Sequence, residues 1–188
     1  MKLMLMVLSM IALAAAGAQA QVVFSLGSGP GQDCYRHARF GFDPVAGVKV
    51  CTLALEQVLT ASDRAATYDN RGVILNQEGR SDDAVLDFGK AIALRPDLGD
   101  PYINSGSVLI KKKSYEEALV QINKGLELGA SFPQIGYYDR ALTLELLGRY
   151  KEAYYDYKKA LEIEPNFGLA SERLKDFVVT PAPANRPG

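Results

Sequence analysis

One histidine, His37, is all that 188 residues offer for general-base chemistry at neutral pH. A Ser or Cys nucleophile needs a positioned base, so acyl-transfer chemistry is excluded on inventory alone. Strand periodicity is missing throughout, and no Gly-rich phosphate loop follows a strand, which removes the usual nucleotide sites. The two cysteines, Cys34 and Cys51, are not spaced as Cys-x-x-Cys, so no redox motif is present. An excess of charge of either sign is also lacking. Lys and Arg number 21 against 22 Asp and Glu, and the longest like-charge run is Lys111 to Lys113. Nucleic acid is therefore excluded as a partner, because phosphate binding needs a concentrated basic stripe. The Lys triplet ends a predicted helix, where cations suit the helix dipole, and the pairs Asp82/Asp83 and Glu116/Glu117 open predicted helices, where carboxylates do. Neither needs a catalytic role. The inventory predicts no enzymatic activity, no cofactor, no resident metal and no small-molecule substrate.

What the chain does have is recurrence. From Gln134 to Pro165, apolar residues recur at helical spacing in two runs either side of Gly148, which predicts a helical hairpin. Tyr137, Ala141 and Leu144 share one face, and Ala153, Tyr157 and Ala160 the other. The same residue types return 35 and then a further 34 residues upstream. Tyr68, Tyr102 and Tyr137 open the first helices, followed by Gly72, Gly106 and Ala141. Ala84, Ala118 and Ala153 open the second helices, followed by Phe88, Ile122 and Tyr157, then Ala91, Gly125 and Ala160. Pro96, Ala130 and Pro165 close the units. The period, the small-large-small packing and the closing Pro over residues 65 to 165 resemble the tetratricopeptide repeat family. The middle unit departs by placing Lys113 where its neighbours have Gly79 and Gly148, and an extra residue near Phe132 and Pro133 lengthens the last spacing. The expected fold is an all-α solenoid of three hairpins (62–98, 99–133 and 134–165) between a degenerate N-terminal hairpin and a C-terminal capping helix.

At the N-terminus, MKLMLMVLSMIALAAAGAQA has one basic residue, an apolar run and an A-x-A ending, the pattern of a secretory signal peptide cleaved after Ala20. An uncleaved N-terminal anchor is the rival reading; after cleavage no stable membrane insertion is expected. Residues 21–33 are Gly-rich and read as a flexible lead-in, and 34–61 as two helices, Cys34 to about Arg39 and Val45 to about Thr60, broken at GFDP. Aligning Ala54 with Ala91 puts Cys51 at the large position of Phe88 and Cys34 on the facing helix. With a leader directing export, these cysteines read as a disulfide stapling the hairpin. A zinc site of Cys34, His37 and Cys51 lacks a fourth Cys or His. Residues 166–178 read as a cap helix with Asn166 as N-cap and Phe167, Ala170, Leu174 and Phe177 facing the last hairpin, and 179–188 as a Pro-rich disordered tail.

The resemblance implies that the first helices line a concave groove which binds another protein or peptide. Asn70, Asn104 and Asp139 recur two residues after each opening Tyr. In similar repeats an Asn there bonds an extended peptide's backbone; the alternative is that the row solvates the groove or bonds a neighbouring helix. Tyr138, Ile103 and Leu142, with Ile135, are the candidate apolar groove residues, Ile135 and Leu142 being equally placed to pack between units. Clamps of this family that hold a C-terminal carboxylate carry Lys and Arg, whereas the matching positions here are Asp69, Val73, Asp100 and Asp139. Such a groove should prefer neutral or basic segments. Arg71 and Arg140, beside the row, are expected to neutralise Asp69 and Asp139. The function expected is a protein-protein interaction module of the bacterial envelope, periplasmic or secreted. The alternative is a structural protein self-associating through Tyr150, Tyr154 and Tyr155.

Overall fold

The structure, a computed structural model, describes residues 30–177 apart from Phe42 and Val58. The leader, most of the lead-in and the Pro-rich tail lie outside the described residues. Nine helices form within them: α1 Pro30–Phe40, α2 Pro44–Leu55, α3 Ala61–Gln77, α4 Ser81–Leu94, α5 Asp100–Lys111, α6 Tyr115–Glu127, α7 Pro133–Leu146, α8 Tyr150–Ile163 and α9 Gly168–Leu174.

Consecutive helices pack as antiparallel hairpins, and each hairpin stacks on the next. The packing rule is written in residue size. A Cβ added to Gly72 would lie 2.6 Å from the Phe88 ring, and one added to Gly106 would overlap Ile122. Small residues on the first helix thus admit the large residue of the second. In the third hairpin the pair becomes Ala141 with Tyr157, both fully buried. Four clusters of buried residues follow the hairpins, the N-terminal one built on Cys34, Cys51 and Ile74 and the C-terminal one on Leu119, Leu144, Tyr157 and Ala170. Each shields its neighbour, as a repeat array requires. Tight turns join the helices of each unit, with left-handed backbone at Gly79, Gly148 and, in the middle unit, Lys113 (φ 61°).

The first helices α1, α3, α5 and α7 touch one another in sequence, whereas among the described residues no two second helices pack comparably. The second helices are therefore splayed on the outside and the first helices form the inner wall.

Several boundaries differ from the sequence expectation. The first described helix takes in Pro30, ahead of the expected start at Cys34, and proline's fixed φ suits a helix's first turn. Helix α2 ends at Leu55, and Thr60 is instead the N-cap of α3, its hydroxyl accepting from the Asp63 amide at 3.1 Å. Asp43 caps α2 by accepting from the amides of Val45 and Ala46. The cap helix is shorter than 166–178, and Phe167, not Asn166, occupies its N-cap position. Its apolar face is as expected: Ala170 is buried, and Phe167, Leu174 and Phe177 pack on the last hairpin.

Candidate functional site

The inner wall encloses a cavity of about 450 Å³ between α1, α3, the start of α5 and the loop leading into α7. Its lining mixes polar and apolar groups, with buried Pro101 and Ile103 and exposed Tyr35, Phe132 and Ile135 among them. From α3 come Asp69, Asn70 and Val73; from α5, Asp100, Pro101, Ile103 and Asn104; from α1, Tyr35 and Arg39. Ser131, Phe132 and Ile135 close the far side. The α6–α7 loop is held there by Asp100, whose carboxylate accepts from both the amide and the hydroxyl of Ser131 at 2.7 Å. That anchor presents Phe132, the residue beside the extra position in the repeat, at the groove mouth. Across it the Arg39 guanidinium lies 4.7 Å from the Phe132 ring centroid, a cation-π contact that spans from the first inner helix to the last.

The predicted polar row divides. Asn104 lines the cavity but already donates to Asp69 at 2.9 Å. Asn70 also lines it. Asp139 does not: it is buried between α7 and α5, where it accepts from the Ser107 hydroxyl. Two members of the row thus bond the preceding unit. Among the apolar candidates, Ile103 is 4% exposed and belongs chiefly to the core, with one side at the cavity. Tyr138 faces elsewhere, packing on Tyr157 (5.7 Å between centroids) and edge-on to Phe167 (5.6 Å), under the cap. Among the described residues the cap helix follows the third hairpin, and its side chains take that surface. Leu142 is half-buried outside the cavity lining, whereas Ile135 lines it.

Burial raises the Asp69 carboxyl to about 7; the nearby Asp100 charge adds to the shift and the Asn104 hydrogen bond opposes it. Burial likewise raises Asp139 to about 6, against the Ser107 hydrogen bond and the Lys111 charge. The expectation that Arg71 and Arg140 neutralise these two carboxylates is overturned. Arg71 binds Asp87 through Nε at 2.6 Å and Nη2 at 3.0 Å, and Arg140 binds Asp156 at 2.7 and 2.8 Å. Each also reaches the second helix of the preceding hairpin, at Thr52 and Asn123. These arginines staple hairpins and leave the groove's acidic floor uncompensated.

Of the residues named from the sequence, Asn70, Asn104, Ile103, Ile135, Asp69, Val73 and Asp100 line this cavity; Tyr35 and Arg39 line it too and are not singled out by the sequence. The degenerate hairpin matched the repeat too loosely to place α1 in the inner wall. Cys34 and Cys51 face each other with Cα atoms 4.7 Å apart and sulfurs at bonding distance. His37 lies against Gly47, and no group of three or more potential metal ligands occurs among the described residues. None of the described helices is long and apolar enough to cross a membrane.

Tetratricopeptide repeat models match residues 65–98 and 135–167. Human tetratricopeptide repeat protein 13 is 29% identical over 132 residues, covering 70% of this chain but only 15% of that protein. Among solved structures, MamA AMB-1 superposes with a TM-score of 0.60 at 19% identity, covering 77% of this chain and 83% of that one. The first repeat domain of Spaghetti (RPAP3), bound to the HSP90 peptide SRMEEVD, gives a TM-score of 0.57 at 24% identity, covering 61% and 90%. These likenesses show the fold, that of a tetratricopeptide-type helical repeat array.

Proposed function

Starting from a tetratricopeptide-repeat protein related to known domains of that kind, we propose that it docks a segment of another protein in the groove lined by α1, α3, α5 and α7. One observation carries this reading: a cavity of about 450 Å³ lies on the inner wall, lined by apolar Tyr35, Phe132 and Ile135 together with Asn70 and Asn104. A net amide hydrogen bond contributes about 0.5–1.5 kcal/mol, enough to orient an extended backbone, while Tyr35, Phe132 and Ile135 supply contact area. That a domain of similar fold is bound to an HSP90 peptide supports peptide docking as a use of this fold. A photocrosslinking amino acid at Asn70 or Ile135 should yield adducts with a discrete partner, and the same probe at Leu86 on the outer face should not. Equal labelling from both positions would count against the groove.

The setting belongs to the same proposal: export to the bacterial envelope by the leader, with Cys34 and Cys51 oxidised there. Intact mass should then show loss of residues 1–20 and alkylation of the cysteines only after reduction. Free thiols in exported protein would overturn the staple.

A second reading is favoured by the outer face. Leu86, Val120 and Tyr155, at matched positions in successive second helices, are 64%, 65% and 59% exposed. Self-association through these helices, with Tyr150 and Tyr154 alongside, would make the protein structural. Sedimentation velocity separates the two readings, since the groove reading predicts a concentration-independent monomer.

A further inference from the structure

Asp69 is the one groove group whose chemistry asks for more than the fold provides. Its carboxylate accepts from Asn104 at 2.9 Å, an uncharged donor. The neighbouring charge is that of Asp100, also acidic. The cation of the groove wall, Arg39, is turned onto the Phe132 ring; of the two cations of α3, Arg71 is engaged by Asp87 and Arg64 by the carbonyls of Leu55 and Gln57. The carboxylates of Asp69 and Asp100 thus share the cavity lining with exposed apolar Tyr35, Phe132 and Ile135 and with the amides of Asn70 and Asn104.

Resting on the groove reading, we infer that the occupant is an extended segment of a partner protein carrying an arginine or lysine, whose cation is received by Asp69 while an adjacent apolar side chain lies between Tyr35 and Phe132. The charges disfavour an acidic segment, which would meet both Asp69 and Asp100 against the one guanidinium of the cavity lining, Arg39, already placed on the Phe132 ring. They also disfavour a purely apolar one, which would bury the carboxylate with Asn104, an uncharged donor, as its hydrogen-bond partner. A cation supplies a charge-assisted hydrogen bond at a carboxylate already withdrawn from water, where such a bond is strongest.

The test is a library of acetylated, amidated heptapeptides with Arg, Lys, Gln or Glu fixed at the centre and randomised flanks, selected on the full mature chain. Binding is located by amide chemical shifts, and Asp69→Asn, which keeps the shape and the Asn104 contact, is compared. Arg- or Lys-centred peptides should dominate on the wild type and shift the Asn70 and Asn104 amides. Replacing the central cation by Gln should weaken binding about tenfold or more, and Asp69→Asn should erase that difference. Gln- or Glu-centred peptides that bind equally well at the same amides would overturn the cation and leave the groove standing. Shifts confined to the outer helices, or no binding at any centre, would overturn both.

Discussion

Lys113 and Asp69 each hold a conformation or environment that their side chain disfavours, and each makes a measurable prediction. Lys113 adopts φ 61° in the turn between α5 and α6, where the equivalent positions are Gly79 and Gly148. The left-handed region costs an L-residue about 1–2 kcal/mol, part of which glycine gives back in chain entropy. Lys113→Gly should stabilise the protein by about 0.5–1 kcal/mol, read as a higher urea midpoint with an unchanged slope. Asp69 is raised by burial to about 7 from its ordinary value of 3.8. Between those two values the folded protein holds more protons than the unfolded chain, so stability from this group is full below the lower one. It is lost as pH rises through the upper one. Asp69→Asn cannot ionise. Its stability relative to the wild type should therefore improve steadily from pH 4 to pH 8, in denaturant melts taken across that range. A difference independent of pH would mean that Asp69 titrates normally in the fold. Asp139, raised to about 6, contributes a slope of the same sign that persists in the variant.

Within each hairpin two devices hold the helices together, and only one is legible in the sequence. The small-large pairs of Gly72 with Phe88 and Ala141 with Tyr157 announce themselves because each lies in a local 3.6-residue period that recurs down the chain. The arginine staples do not. Arg71 and Asp87 are 16 residues apart on different helices, and nothing in either helix's own periodicity says that they meet. Their absence from the middle unit, where Ser105 and Gln121 occupy the same register, also hides them from a search for repeats. That middle unit nevertheless provides the control. Asp87 is 2% exposed and keeps a Lys90 contact at 3.0 Å when Arg71 is removed. Arg71→Ser should cost about 2–3 kcal/mol, since a buried carboxylate loses its bidentate partner. Adding Asp87→Gln, which copies the middle unit's own pair, should recover more than half of that loss. A double variant no better than the single one would show that the guanidinium acts through its stem and Thr52, not through charge. Similar reasons explain the misplaced helix start: Gly-Pro-Gly reads as a loop, yet Pro30 and Asp33 make an adequate first turn.

A stacked array is weakest at its ends, because a terminal hairpin is covered on one side only. This chain treats its two ends differently. The C-terminal end carries an aromatic cap, with Phe177 against Tyr157 and Tyr154. The N-terminal end has no cap helix among the described residues; there Cys34 and Cys51, both fully buried, lie beneath Ile74 with their sulfurs at bonding distance, and the proposed disulfide would tie α1 to α2. The position of that staple matters for function, because α1 contributes Tyr35 and Arg39 to the groove. Reduction removes about 3 kcal/mol for a loop of this size, and in a nearest-neighbour array the loss is felt locally. Hydrogen exchange after reduction should therefore accelerate by roughly 100-fold in residues 30–55, while α5 to α8 keep their protection. A ligand held in the groove should weaken under the same treatment, and one held by the outer helices should not. Uniform acceleration along the whole chain would instead make the molecule a single cooperative unit. Its inner wall would then depend on the staple no more at α1 than at α7.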